Sequence, residues 1–411
     1  MSSVSSKSGP APAQSPAAQP SPLPVSPVDV VGCTVFSAAG QGLGALADAL
    51  FQGAAAKRDM SDEVAADCPP GLKVLSLPGF APADTLGRKG LGRLTRTDQL
   101  ASVAGTLALR ERSAQGPART EPAGQTEPIE QTDTGIVLGT SVGSTSRVGE
   151  FIRDTFVEER PYFVNPSHFP GILMNSAAGR AAIRLGLTGV NATVSGGPLA
   201  GLHALRFARN ALLAGHARRL LTGAFEELSP QRAWAWHRSG GLAAGVPLGE
   251  GGALFVLEAP DGQGEGPPPH ARLLACDVGF ADPAQGLPGV SRRLADCIRT
   301  ALDRSDVRPE EVAVAAPGVS GRRGWAAVEE SALRQVFASA PASDRPRRLA
   351  IQPVLGETDS ANGALQLAAV LARWQDDRWN TEQERAAVIT SISPDGSVGC
   401  AVVIRPSACA L

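Results

Sequence analysis

Aromatic residues are scarce in this chain, 4% of 411 residues, with one tyrosine, Tyr162. A core short of rings must be filled by small and aliphatic side chains, and these let helices and strands approach closely. Net charge is nearly absent at −2, which excludes the basic footprint of a nucleic-acid or anionic-membrane binder. No run approaches the ~18 consecutive apolar residues of a membrane span. The six cysteines (33, 68, 276, 297, 400 and 409) form no CxxC pairs and have no histidine partners. They give neither a metal site nor a disulfide framework, so no metal and no cofactor are expected, and a reducing cytoplasm is the default compartment.

What is present is a long alternation of apolar strands and Ala/Leu-rich helices. Apolar residues make up 43% and charged residues 19%, a globular balance. Residues 1–27 are Ser/Pro/Ala low complexity and read as a disordered tail rather than an export signal. Structure is expected from VDVVGCTVFS (28–37) to ALFVLE (253–258), interrupted by a polar surface insertion at 113–133. APDGQGEGPPPH (259–270) reads as a linker, and a second alternating half fills 271–406. Strands alternating with helices of 10–15 residues imply parallel, helix-covered sheets. In the first half NATVS is expected as a strand and PLAGLHALRFARNALLAG (198–215) as a helix. In the second half RLAIQPV is expected as a strand and SANGALQLAAVLARW (360–374) as a helix.

The halves echo each other: SGGPLAGLHALRFARNALL resembles GETDSANGALQLAAVLARW, a Gly-containing or polar turn followed by an Ala/Leu helix. The opening segment, GIVLGTSVGS, NPSHFPGILMNSAAGRAAIRLGLTG (165–189) and GVPLGEGGALFVLE (245–258) together resemble the β-ketoacyl synthase family, from about 29 to 405. The resemblance implies an α/β, thiolase-like fold. Its duplicated βαβαβαββ halves form a five-layered α-β-α-β-α architecture, with two buried helices meeting at a pseudo-twofold axis.

The family's catalytic pattern is absent where it should fall. Its nucleophilic cysteine heads a helix in a pattern like A-C-x-S-G-x-H. Matching Gly201 and His203 to the end of that pattern puts Pro198 at the cysteine. The resemblance assigns the first catalytic histidine to Pro317, the second to Glu357 and the supporting lysine to Gln352. Of the two backbone N–H groups that form the family's oxyanion hole, one falls at Pro198. The other falls at Pro394 in SISPDGS, and proline has no N–H to donate. Proline is well tolerated at the first position of a helix, which gives Pro198 a purely structural reason. Glu357 is expected to be ionised unless strongly buried, and it would repel an enolate; helix capping, aided by the helix dipole, is its expected role.

Substitute groups are few. Ser195 precedes the helix but has no partner histidine, His203 is expected to pack in the core, and Cys400 reads as a small buried hydrophobe. His168 is expected at an interface. Phe151, Phe156, Tyr162, Phe163 and His168 are candidates for the wall of an acyl tunnel or for the interface. The resemblance thus points to a non-catalytic subunit of the chain-length-factor kind, a ketosynthase beta subunit. Its implied partners are an active ketosynthase, as a heterodimer, and an acyl carrier protein. Two enzymatic readings stand beside it: a β-ketoacyl-ACP synthase or acyltransferase with relocated catalytic residues, and a decarboxylase that does not condense.

Overall fold

The computed structural model describes residues 26–53, 67–114, 133–260, 268–379, 381 and 383–406. The tail to residue 25, most of the expected insertion (115–132), residues 261–267 of the expected linker and Cys409 lie outside the described residues.

Eleven strands join in one sheet, and their order displays the duplication. Along the chain they are β1 (Val28–Ser37), β2 (Gly40–Gln41), β3 (Thr134–Thr140), β4 (Asn191–Ser195), β5 (Arg219–Glu226) and β6 (Gly251–Glu258). Then come β7 (Ala271–Phe280), β8 (Val312–Ala316), β9 (Arg347–Arg348), β10 (Ala386–Ile392) and β11 (Ser397–Ile404). From the middle outward one arm runs β1, β6, β5, β3, β4 and the other β7, β11, β10, β8, β9. In both arms the first two pairings are antiparallel and the last two parallel. The arms join where Val28–Val30 of β1 pair antiparallel with residues 271–273 of β7. Strand β5 is apolar along most of its length because helices cover both its faces, as parallel-sheet strands require.

Three cores separate five layers. On the outside of the first arm, α2 (Arg96–Ala114) and α4 (Ser176–Leu185) pack Leu100, Ala104 and Ala181 against Ile136, Leu138 and Leu221. On the outside of the second, α7 (Gly286–Arg304) and α8 (Trp325–Phe337) pack Leu294, Ile298 and Leu333 against Val388 and Val402. Between the arms lie α5 (Ala200–Leu213) and α9 (Asn362–Gln375), joined by α1 (Leu43–Gln52). Thirteen of the fourteen residues of α9 are buried, which only a helix covered on all sides shows. The two central helices cross through small residues. A Cβ added to Gly201 would fall 2.9 Å from Ser360 O, and one added to Gly363 would fall 3.2 Å from Leu202 N.

Each central helix is entered through a three-residue 3-10 turn, Gly197–Leu199 before α5 and Asp359–Ala361 before α9. The first residue of each turn is left-handed, Gly197 at φ 50° and Asp359 at φ 49°. Pro198 therefore sits inside the turn rather than at the first position of α5, which begins at Ala200, two residues later than the sequence implied. The expected strand RLAIQPV is also corrected: only Arg347–Arg348 pair as a strand, and Gln352–Leu355 coil into a helical turn. Pro353 inside that segment lacks the N–H an extended ladder would need.

Candidate functional site

The turn at Gly197–Leu199 holds Pro198 buried, and its carbonyl accepts a hydrogen bond from Ser391 Oγ at 3.3 Å. Ser393 Oγ stands 4.0 Å from where a Cβ on Gly197 would lie. Pro394 itself is exposed, at the tip of the β10–β11 hairpin closed by Gly396 N to Ser393 O at 3.0 Å.

The other replaced positions converge in one polar knot on the far side of the turn. Gln352 is fully buried; its Nε2 donates to Gly318 O at 2.8 Å, and its Oε1 accepts from Ser320 Oγ. Asn362 Nδ2 donates to the same carbonyl at 3.2 Å and to Glu357 Oε1 at 2.7 Å. Gly318 follows the half-buried Pro317, and this loop is pinned by a carboxylate from α8. Gly318 N and Val319 N each donate to Glu329 at 3.0 Å, and Thr390 Oγ1 donates to it at 2.7 Å. Burial pushes the Glu329 carboxyl up to about 7, against the downward pull of those three hydrogen bonds.

Glu357 is fully buried, just before the turn that leads into α9. Its Oε1 accepts from Arg322 Nη2 at 3.0 Å, Asn362 Nδ2 and Asp359 N at 3.0 Å. Burial pushes its carboxyl up and the Arg322 guanidinium pulls it down, with the upward effect prevailing. Next to it, Asp359 is gripped by Arg232 Nε at 2.6 Å, Arg322 Nη2 at 2.9 Å and Trp236 Nε1 at 3.1 Å. Burial works to raise Asp359, but Arg232 and Arg322 outweigh it and hold its carboxyl below the usual range. Those ties offset the left-handed backbone at Asp359, which an L-residue adopts at a cost of order 1–3 kcal/mol. Arg232 also donates to the carbonyls of Gly249 (2.7 Å), Glu357 (2.9 Å) and Glu227 (3.1 Å). Ser360 Oγ donates to Glu226, whose carboxyl burial also pushes up. Two guanidiniums thus face three carboxylates: their attraction prevails at Asp359, and burial prevails at Glu226 and Glu357.

Arg232 and Trp236 lie on α6 (Pro230–Ser239), an element absent from the expected strand–helix order. Arg322 and Asp359 had no expected role either. The signal present in the sequence was the clustering of arginine and carboxylate residues in stretches otherwise apolar or glycine-rich, since charges inside a core need partners.

A nucleophile is hard to find near Pro198. Ser391 spends its hydroxyl on the Pro198 carbonyl, and the Ser195 hydroxyl donates to Ser141 O at 2.8 Å. Burial pushes the Cys276 thiol up to about 12, and Cys400 is buried against Cys297, Sγ to Sγ 3.8 Å. His203 is half-buried in a surface groove with Val194, Arg206, Phe207 and Asn210 rather than packed in the core, and burial pushes its imidazole down.

The tunnel and interface candidates lie apart from this knot. Phe151 and His168 are half-buried, while Phe156, Tyr162 and Phe163 are 82%, 67% and 51% exposed. Phe151 and Phe156 belong to α3 (Thr145–Val157), a helix that buries none of its residues. Ile152, Val157, Phe169, Met174 and Ile183 of the same half are exposed as well, and Ile183 lies on α4, which packs on β4, the outermost strand of its arm. Exposed apolar side chains in such number are candidates for an interaction surface.

Comparison with known proteins agrees with this geometry. The sequence profile described as "Beta-ketoacyl synthase, N-terminal domain" matches residues 118–261. The structure of the ishigamide ketosynthase/chain length factor is 30% identical, with a TM-score of 0.75 over 92% of this chain and 99% of that one. A type II PKS acyl-carrier protein in complex with its ketosynthase bound to the hexaketide, AntDE:AntF, shares the fold at 16% identity. Its TM-score is 0.70 over 93% of this chain and 99% of that one. The chloroplastic 3-oxoacyl-(acyl-carrier-protein) synthase I of Arabidopsis thaliana is 24% identical over 323 residues, 71% of this chain and 64% of that protein. The chain spans less than two thirds of the length of the curated relatives it matches. Among the described residues no helix is long and apolar enough to cross a membrane. Profile, identity and a fold matched over almost the whole chain lead to one assignment: the chain belongs to the β-ketoacyl synthase family.

Proposed function

We propose that this chain is a non-catalytic, chain-length-factor type subunit. It pairs with an active β-ketoacyl-ACP synthase in the cytoplasm and shapes the acyl tunnel of a polyketide or fatty-acid-like pathway, with an acyl carrier protein delivering substrate. One observation carries the reading. The positions where the family resemblance places the catalytic residues hold Pro198, Pro317, Gln352 and Glu357, buried except for the half-buried Pro317. Gln352 and Glu357 are tied into a polar knot, and Pro198 abuts the neighbouring hairpin. Condensation needs a thiolate to carry the acyl chain and donors to stabilise the enolate. A proline, an amide engaged with Ser320 and Gly318, and a carboxylate engaged with Arg322 supply neither. The similarity to the ishigamide ketosynthase/chain length factor supports pairing, as does the unburied apolar surface of α3 and its neighbours.

The test is co-expression with ketosynthases of the same pathway, with isolation of complexes and measurement of product length. A stable heterodimer is expected, with product length changed by Phe151→Ala or Phe156→Ala. Purified alone and incubated with an acyl-loaded carrier, the chain should gain no covalent mass. Homodimers only, with no effect on product length, would sink the proposal; so would an acyl adduct that disappears in Ser195→Ala.

A further inference from the structure

Helix α3 has an unusual means of support. It carries Phe151, Ile152, Phe156 and Val157, yet none of its thirteen residues is buried, so core packing does little to locate it. Its N-terminus is instead bound to one side chain of the sheet body. The Glu227 carboxylate, just past the end of β5, accepts from Ser144 Oγ at 3.0 Å on both oxygens, and from Ser146 N at 2.8 Å. Ser144 in turn accepts from Arg147 N at 3.2 Å, capping α3. A second helix begins at the same point. Ser229 accepts from Arg232 N at 3.2 Å, capping α6, and shares a 2.7 Å hydrogen bond with Thr145 Oγ1. The N-terminus of α3, whose free N–H groups attract negative charge, thus rests on this carboxylate, and α6 begins beside it through the Ser229–Thr145 bond. Along its length α3 touches α6 where Gly149 meets Gln231, and Gly171 packs on Arg147 from the following turn. These are light contacts beside the Glu227 knot.

We infer that Glu227 is the positioning residue of α3: its carboxylate sets where the aromatic helix stands against the sheet, and so sets the surface that helix offers a partner. The inference rests on the proposed pairing only for its consequence, since the tether itself belongs to the chain alone. The surroundings of Glu227 also make the tether responsive to pH. Burial pushes its carboxyl up to about 7, against the hydrogen bonds from Ser146 and Ser144, and the like charges of Glu226 and Glu250 add to the rise. Arg96 faces this group only through its ion pair with Glu250, and Arg232 reaches the Glu227 carbonyl rather than its carboxylate. Neither guanidinium neutralises the knot directly. Docked α3 then holds a proton that a released, hydrated Glu227 gives up at neutral pH. Release should therefore become easier as pH rises, by about tenfold in the opening equilibrium between pH 6 and pH 8.

Hydrogen–deuterium exchange on the full chain, corrected for intrinsic rates, reads this directly at residues 145–157. In the unaltered protein protection of α3 should fall about tenfold from pH 6 to pH 8, while the strands β3 and β5 stay protected. Glu227→Gln, which mimics the protonated side chain, should abolish that pH dependence and keep α3 protected. Glu227→Ala should leave α3 poorly protected at both pH values. Protection of α3 that is unchanged by pH in the unaltered chain, and also unchanged in Glu227→Ala, overturns the inference. The pH series alone decides if the Ala variant fails to fold. If exchange behaves as expected but Glu227→Ala and the unaltered chain give the same product length in a co-expressed complex, the tether stands and the tunnel-shaping reading falls.

Discussion

At the scale of single residues, the buried carboxylates set how this chain responds to acid. Glu329 shows the sign. Burial raises it from an ordinary 4.5 to about 7, so between those values the folded chain holds a proton that the unfolded chain has released. Stability from this group therefore falls as pH rises from about 4.5 to about 7 and is flat above. A shift of that size corresponds to about 3 kcal/mol across the window. Glu329→Gln cannot titrate, and it keeps an acceptor for one of the Gly318 and Val319 amides while its NH2 faces the other, a loss common to both pH values. Denaturant unfolding at pH 5 and pH 7 should show a pH loss smaller by about 2 kcal/mol in the variant. An unchanged slope would mean that Glu329 is ionised when folded, held by its three hydrogen bonds against burial.

At the scale of elements, the central helices show how much could be read in advance. The Ala/Leu helices were legible in both halves, the resemblance implied that they are buried and meet, and the structure brings Gly201 and Gly363 together at their crossing. Boundaries were harder to read. The 3-10 turns before α5 and α9 depend on a left-handed Gly197 and a left-handed Asp359, and aspartate visits that region too occasionally for the sequence to mark it. Arg232, Arg322 and Trp236 hold Asp359 from distant parts of the chain, so only the folded network reveals why it is tolerated. The positions assigned to the catalytic residues were nameable in advance because the family pattern fixes their spacing. Their partners were not, because a salt-bridge knot spans both halves and leaves no periodic mark. Close helix packing also yields a sharp expectation. Gly201→Ala should cost about 1–3 kcal/mol, because the new Cβ meets the backbone at Ser360 and Ala364, which cannot step aside. Gly179→Ala, within α4 and with nothing within 4 Å of the added Cβ, should be neutral or stabilise by up to about 1 kcal/mol. Equal effects in thermal unfolding would argue against a tight crossing.

At the scale of the whole molecule, the two arms of the sheet end differently. The second arm ends at β9, a strand of two residues, too short to recruit another chain by strand addition. The first arm ends at β4, a five-residue strand that among the described residues pairs only with β3, with α4 packed on it. Under the proposed pairing, this asymmetry in an otherwise duplicated fold favours association at the first arm's edge. Ile183 on α4 is 80% exposed and Phe156 on α3 is 82% exposed, so neither supports the fold of its own chain. Introducing charge at both, Ile183→Asp with Phe156→Asp, should leave the unfolding temperature of the isolated chain within a few degrees. The same pair should weaken association at least a hundredfold, since a carboxylate desolvated in an apolar interface costs several kcal/mol. Sedimentation velocity with and without a co-purified ketosynthase measures the association, and calorimetry of the single chain measures the fold. If the double variant still associates with unaltered affinity, the partner docks elsewhere, and the exposed face beside β4 has some other use.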